Sequence, residues 1–175
     1  MTTEFKKRLI SSIFLIPICI LLIFEGSILF NFFLFTCFVI SFYEWSKMIN
    51  KIQVSVAGYF FLIFSFLSAY LIRNTSVEGD DGLFYFLLTI LICIGTDIGG
   101  YVFGKLLKGP KLISISPNKT YAGMVGSFVT SLIVCKIYFY FTDFFFSIKI
   151  LLSVKILSLI LLISFVSQCG DIIIS

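Results

Sequence analysis

Six apolar runs follow one another along this chain with only short polar breaks between them, a succession that fits membrane-spanning helices. The runs cover about 9–24, 27–43, 52–72, 82 to just beyond 97, 117–141 and 144 to the end. The chain is 59% hydrophobic, with 23 phenylalanines, and only 13% of its residues are charged. Soluble domains are about 45–50% apolar, so too little polar surface exists here to cover a globule. The expected fold is all-α: a polytopic integral membrane protein with about six transmembrane helices. The first run follows MTTEFKKR and could pass for a signal peptide. However, no A-x-A-like site follows, and the second run begins after only Glu25 and Gly26. A retained helix paired with its neighbour is therefore the reading.

The 175 residues contain no histidine. This removes Ser-His-Asp hydrolysis, His-bound zinc and histidine proton relays, leaving carboxylates, lysines, hydroxyls and backbone amides for chemistry. The five cysteines lie inside apolar runs without CxxC spacing and read as reduced packing residues. Net charge is a modest +4, with no basic tract suited to nucleic acid. Its distribution says more. With the N-terminus inside, the cytoplasmic segments hold Lys6, Lys7, Arg8, Lys47, Lys51, Lys105, Lys108, Lys111 and Lys119, and the external ones only Arg73. That bias orients the chain with Asp97 and Asp171 at cytoplasmic helix ends. Lys136 and Lys149 fall near outer ends and can snorkel. Lys155 falls deeper in the sixth run, which suggests a broken helix or a lipid-facing groove.

The stretch from Gly95 to Gly126 breaks the apolar pattern most strongly, joining Asp97 to Lys105, Lys108, Lys111 and Lys119 among glycines and two prolines. On a helix, Asp97, Tyr101, Gly104, Lys105 and Lys108 share one face. Gly100-x-x-x-Gly104 alone would be a helix-packing contact, but the carboxylate on the same face favours a site. Gly99 to Lys105 fits G-x-x-x-x-G-K, yet Leu106 stands where a phosphate loop needs Ser or Thr, so that match is rejected. Ser116-Pro117 reads as a helix start, placing backbone amides, Lys119 and Thr120 together as an anion site; the plainer alternative is a cap with interfacial cations. Asn118-Lys119-Thr120 fits a glycosylation acceptor but falls on the cytoplasmic side. In the last run, Ser164, Ser167, Gln168, Asp171 and Ser175 form one polar stripe, where a carboxylate should face the bundle interior. Magnesium held by carboxylate and phosphate oxygens would suit such a place.

ISPNKTYAG, SQCGD and TDIGGYVFGK together resemble the CDP-diacylglycerol synthase (phosphatidate cytidylyltransferase) family, from about Thr96 onward and loosely before it. Of the family pattern S-P-x-K-T-W-E-G, Ser116, Pro117, Lys119, Thr120 and Gly123 match, whereas Tyr121 replaces Trp and Ala122 replaces Glu. S-x-x-G-D is matched by Ser167, Gly170 and Asp171. The family's later H-G-G-x-x-D-R-x-D signature has no counterpart before Ser175, so the chain is expected to be a fragment or a degenerate remnant with little turnover of its own. In domain terms, 1–175 reads as one membrane domain, with N-terminal helices over 1–81 and catalytic-type helices over 82–175.

The resemblance implies a membrane nucleotidyltransferase that joins CTP to phosphatidic acid, making CDP-diacylglycerol and pyrophosphate with Mg2+. It implies Asp171, Lys119 and Asp97 as catalytic residues, with Asp171 and Asp97 as metal ligands. Lys105, Ser116, Pro117, Thr120, Gly123, Ser167 and Gly170 become substrate-binding candidates. Expected partners are CTP, phosphatidic acid and the bilayer, with no nucleic acid and with homodimerisation left open. The expected location is the inner (plasma) membrane, with the N-terminus and the site facing the cytoplasm. The alternative reading is an ion-coupled transporter or a non-catalytic membrane partner.

Overall fold

The computed structural model describes residues 3–48, 52–74, 82–107, 110–111, 119–146 and 153–174. Within them the chain forms six helices: α1 (Thr3–Glu25), α2 (Ser27–Met48), α3 (Ile52–Asn74), α4 (Gly82–Leu107), α5 (Tyr121–Phe146) and α6 (Val154–Ile174). Five of them are long and apolar enough to cross a bilayer, and α1 adds a shorter apolar segment, Ser11–Glu25. The protein is an all-α integral membrane protein.

Three expected boundaries move. The fifth helix starts at Tyr121 rather than near Pro117, and it runs through 144–146, which the sequence pattern assigns to the sixth. The sixth begins at Val154, where Ser153 caps it: the Ile156 amide reaches the Ser153 hydroxyl at 3.4 Å, and the Leu157 amide donates to the Ser153 carbonyl at 3.1 Å. Lys155 consequently stands exposed in the first turn of an unbroken α6, so the helix is not broken there. The mainly apolar run from Phe144 onward hides this start, because Ser153 is only one of several isolated polar residues in it and none marks a break by itself.

The chain groups into two compact units, Met1–Phe86 and Leu87–Ser175. In the first, Gly26 turns α1 into α2 with φ of 64°, a left-handed conformation open to glycine at little steric cost. Arg73 fixes that turn: its guanidinium donates to the Ile23 carbonyl from Nε (3.3 Å) and Nη2 (3.2 Å) and lies 5.7 Å from the Phe30 ring centroid. Aromatic rings fill the space between α2 and α3, with Phe42 stacked on Tyr59 at 4.5 Å and Phe38 edge-on to Phe66 at 5.4 Å.

The second unit is built from smaller groups. At Gly99 of α4, an added Cβ would come within 2.6 Å of the Gly126 carbonyl oxygen and 2.9 Å of the Ser127 Cα on α5. Only glycine allows that approach, which is how small residues let membrane helices close on one another. Hydroxyls then cross the narrow gap. Ser127 donates to the Thr96 carbonyl at 2.7 Å, Thr130 reaches the Gly95 carbonyl at 2.7 Å, and Thr96 donates to Ser164 on α6 at 2.8 Å. Thr96, Ser127, Ser131 and Ser164 are all buried.

Candidate functional site

Close packing of α4 on α5 leaves a cavity of about 230 Å³ within the second unit, completed by α6. Asp97, Gly100 and Tyr101 line it from α4; Lys119, Thr120, Gly123, Met124 and Ser127 from the start of α5; Gln168, Asp171 and Ile172 from α6. Thr96 lies at its base.

The connection between α4 and α5 is tied at its root, which returns Lys119 to the cavity. Lys111 and Thr120 form an antiparallel bridge, and the Tyr121 amide donates to the Pro110 carbonyl at 3.1 Å. Thr120 is then the N-cap of α5: its hydroxyl accepts from the Gly123 amide at 3.1 Å, and its carbonyl accepts from the Met124 amide at 3.0 Å. This corrects the expected cap. Ser116 and Pro117, the anticipated helix start, lie outside the described residues, and the helix begins after Thr120. The tyrosine and Gly123 amides are already paired, so Lys119, more than a ring of open amides, supplies positive character at this end.

On α6, residues at i, i+4 and i+7 rise along one face from floor to mouth: Ser164 is buried, Gln168 is half-buried, and Asp171 is exposed. The Asp171 carboxylate meets the Lys119 ammonium at 3.4 Å, with 56% and 28% of the two side chains exposed. A pair that open contributes about 0–1 kcal/mol, so an incoming anion or cation can separate it at little cost. Asp97 faces the same cavity from α4 and lies within electrostatic range of both.

The structure thus gathers Asp97, Lys119, Thr120, Gly123 and Asp171 around one space. Three other candidates do not line it. Lys105 turns back along its own helix, donating to the Tyr101 hydroxyl at 3.3 Å with its ammonium 5.4 Å from that ring. The Ser167 hydroxyl pairs with the Cys93 thiol on α4. Gly170 faces open space, with nothing within 4 Å of an added Cβ. Residue type alone puts Ser167 and Gly170 on a par with Asp171; the helical angle separates them. Conversely, Gln168 and Ser127 line the cavity without having been singled out as site residues. Gln168 shows a signal in the sequence, as one of the polar stripe on α6, whereas Ser127 shows none among the hydroxyls of α5.

Among the described residues, no cluster of three carboxylate, cysteine or histidine side chains could enclose a metal by itself. Two carboxylates facing one cavity nevertheless suit Mg2+, which usually takes one or two carboxylates and completes its shell with waters and substrate phosphates. Asp97 and Asp171 are the residues that would hold it.

Comparison with known proteins gives a consistent picture. The sequence profile of the cytidylyltransferase family matches residues 55–175. The chain is 41% identical over 95 residues to the phosphatidate cytidylyltransferase of Staphylococcus haemolyticus (strain JCSC1435), a match covering 54% of this chain and 35% of the relative. It is 42% identical to the protein of that name from Staphylococcus aureus (strain COL) and 39% identical to that from Staphylococcus saprophyticus, each over 54% of this chain and 35% of the relative. The match therefore spans about a third of these curated relatives' length. No solved structure matches the chain at a significant level.

Proposed function

Because the chain belongs to the cytidylyltransferase family, we propose that its α4–α5–α6 cavity holds the phosphates of CTP and phosphatidic acid during formation of CDP-diacylglycerol. The observation that carries this reading is the meeting of Asp97, Lys119 and Asp171 at one cavity from three separate segments of the chain. Asp97 and Asp171 are exposed and Lys119 half-buried; charged groups set on apolar membrane helices mark functional sites by default, and an open ion pair offers both signs to a ligand.

In the proposed reaction, an oxygen of the lipid phosphate attacks the α-phosphorus of CTP. A new P–O bond forms as the bond to the β-phosphate breaks, and pyrophosphate leaves. Lys119 offsets negative charge on the phosphate chain, and the Thr120 hydroxyl, which accepts from Gly123, retains its proton for donation to a phosphate oxygen. Asp171, released from Lys119, would hold Mg2+ with Asp97. When bound, the metal ion would offset charge on the attacking and leaving oxygens. At about 230 Å³ the cavity is smaller than the roughly 300–1,000 Å³ typical of whole-ligand pockets. It accommodates phosphates, leaving the base and the acyl chains outside.

The reading extends to location. The lysine bias orients the site toward the cytoplasm in an inner membrane, where a soluble nucleotide and an embedded lipid can both reach it. Titration of the purified chain in lipid nanodiscs with CTP, with and without Mg2+, tests the proposal. Magnesium-dependent binding in the micromolar to millimolar range, about where enzyme substrates fall, is the expected result. Indifference to CTP under both conditions would contradict it and would leave the transporter reading, which needs no nucleotide.

A further inference from the structure

The cavity contains a group that the proposed machinery does not use. Among the described residues, Gln168 Nε2 is the buried side-chain polar atom with no hydrogen-bond partner. A buried donor left unpaired is unfavourable, and native structures rarely keep one without a reason. Nearby polar groups are engaged elsewhere: Thr96 donates to Ser164, one turn below Gln168 on α6, and Ser127 donates to the Thr96 carbonyl. Gln168 nonetheless lines the cavity, one turn beneath Asp171. Its environment therefore presents a shielded N–H, a paired floor below, and carboxylates and an ammonium above.

We infer that Gln168 is a substrate-positioning residue whose side-chain amide donates to a phosphoryl oxygen lodged at the bottom of the cavity. The inference rests on the proposed phosphate-binding reading and specifies how the inner end of the ligand is held. A neutral donor suits this depth, because an additional buried charge would cost more to desolvate, while a hydrogen bond to a charged oxygen gains strength away from water. The same chemistry could come from the nucleotide's phosphates or from the lipid's phosphomonoester, and the test distinguishes them.

Gln168→Met keeps the length and volume of the side chain and removes the donor. Thermal unfolding of the ligand-free chain, and binding of CTP, CDP and a short-chain phosphatidic acid in nanodiscs with Mg2+, are compared between the native and substituted proteins. The expected result is an unfolding temperature that is unchanged or raised, since an unpaired buried donor is gone, together with affinity weakened about ten- to a hundredfold. Loss for CTP and CDP alone assigns the donor to the nucleotide; loss for phosphatidic acid alone assigns it to the lipid. A lowered unfolding temperature with native affinity would mean that Gln168 only supports the fold, and the inference would be wrong. Native binding of CTP, CDP and phosphatidic acid all matched by Gln168→Met overturns this inference and leaves the broader reading standing. Failure of the native chain to bind any of the three removes both. Should Gln168→Met not fold, Gln168→Ala gives the same comparison with a cavity in place of the thioether.

Discussion

The two compact units solve helix packing in opposite ways. Met1–Phe86 separates α2 from α3 with aromatic rings, and its helix hydroxyls mostly turn inward on their own backbone: Thr36, Ser46, Ser65 and Ser68 each donate to the carbonyl four residues back at 2.7–2.8 Å. Tyr59, which reaches Ser46 at 3.0 Å, is an exception. Leu87–Ser175 brings α4 and α5 together over glycine and serine, so Thr96, Ser127 and Thr130 point across to a neighbouring helix, while Ser131, Thr142 and Ser158 still bond their own. Of the apolar spans, 28% is buried in each of α4 and α5 but 6% and 0% in α2 and α3. Ring packing leaves an apolar surface suited to lipid; small-residue packing buries a set of hydroxyls beneath a cavity whose mouth carries the two carboxylates.

Five substitutions test that contrast, beginning with the largest effect. Gly99→Leu should force α4 and α5 apart, because the obstruction at Gly99 includes α5 backbone. A cost of about 3 kcal/mol or more, the upper range for overpacking, should appear as a lowered unfolding temperature with loss of nucleotide binding. Gly58→Leu, which meets the Trp45 side chain instead, should cost less, since a ring can swing aside. Next, Asp171→Asn should weaken Mg2+-dependent CTP binding by about 100-fold, the upper end for groups that support a metal, with little change in unfolding temperature because the Lys119 pair is open. Phe42→Ala should lose about 0.5–1.5 kcal/mol from the Tyr59 stack beyond its lost buried area and leave CTP affinity within about twofold. Smallest of all, Gly170→Ala should be neutral or stabilising by up to about 1 kcal/mol, read from thermal unfolding, because open space surrounds it.

Hydropathy made the membrane helices legible, because apolar runs of this length leave few other folds. Part of the candidate site is legible for a related reason. Asp97, Lys119 and Asp171 are charged residues at the edges of apolar segments, and alternation of helix direction brings such edges together. Local geometry was harder to read. Ser116-Pro117 has the residue types of a helix start, but the bridge at Lys111 and Thr120 fixes where α5 begins, and a bridge between residues nine apart has no local sequence signature. Lys105 is a substrate-binding candidate by resemblance, yet its ammonium donates to the Tyr101 hydroxyl, one turn away. The Ser153 cap is hidden among apolar neighbours, so the pattern sets Lys155 deep in the sixth run, whereas it stands in the first turn of α6.

The central claim is that close helix packing gathers Asp97, Lys119 and Asp171 into a site that grips nucleotide phosphates through a divalent ion. Its most direct test is electron paramagnetic resonance of Mn2+, substituted for Mg2+, titrated into the nanodisc-embedded chain with and without CTP. Bound Mn2+ that depends on CTP, and that is lost in both Asp171→Asn and Asp97→Asn, is the predicted result. Mn2+ and CTP binding that persist unchanged in both variants would contradict the account.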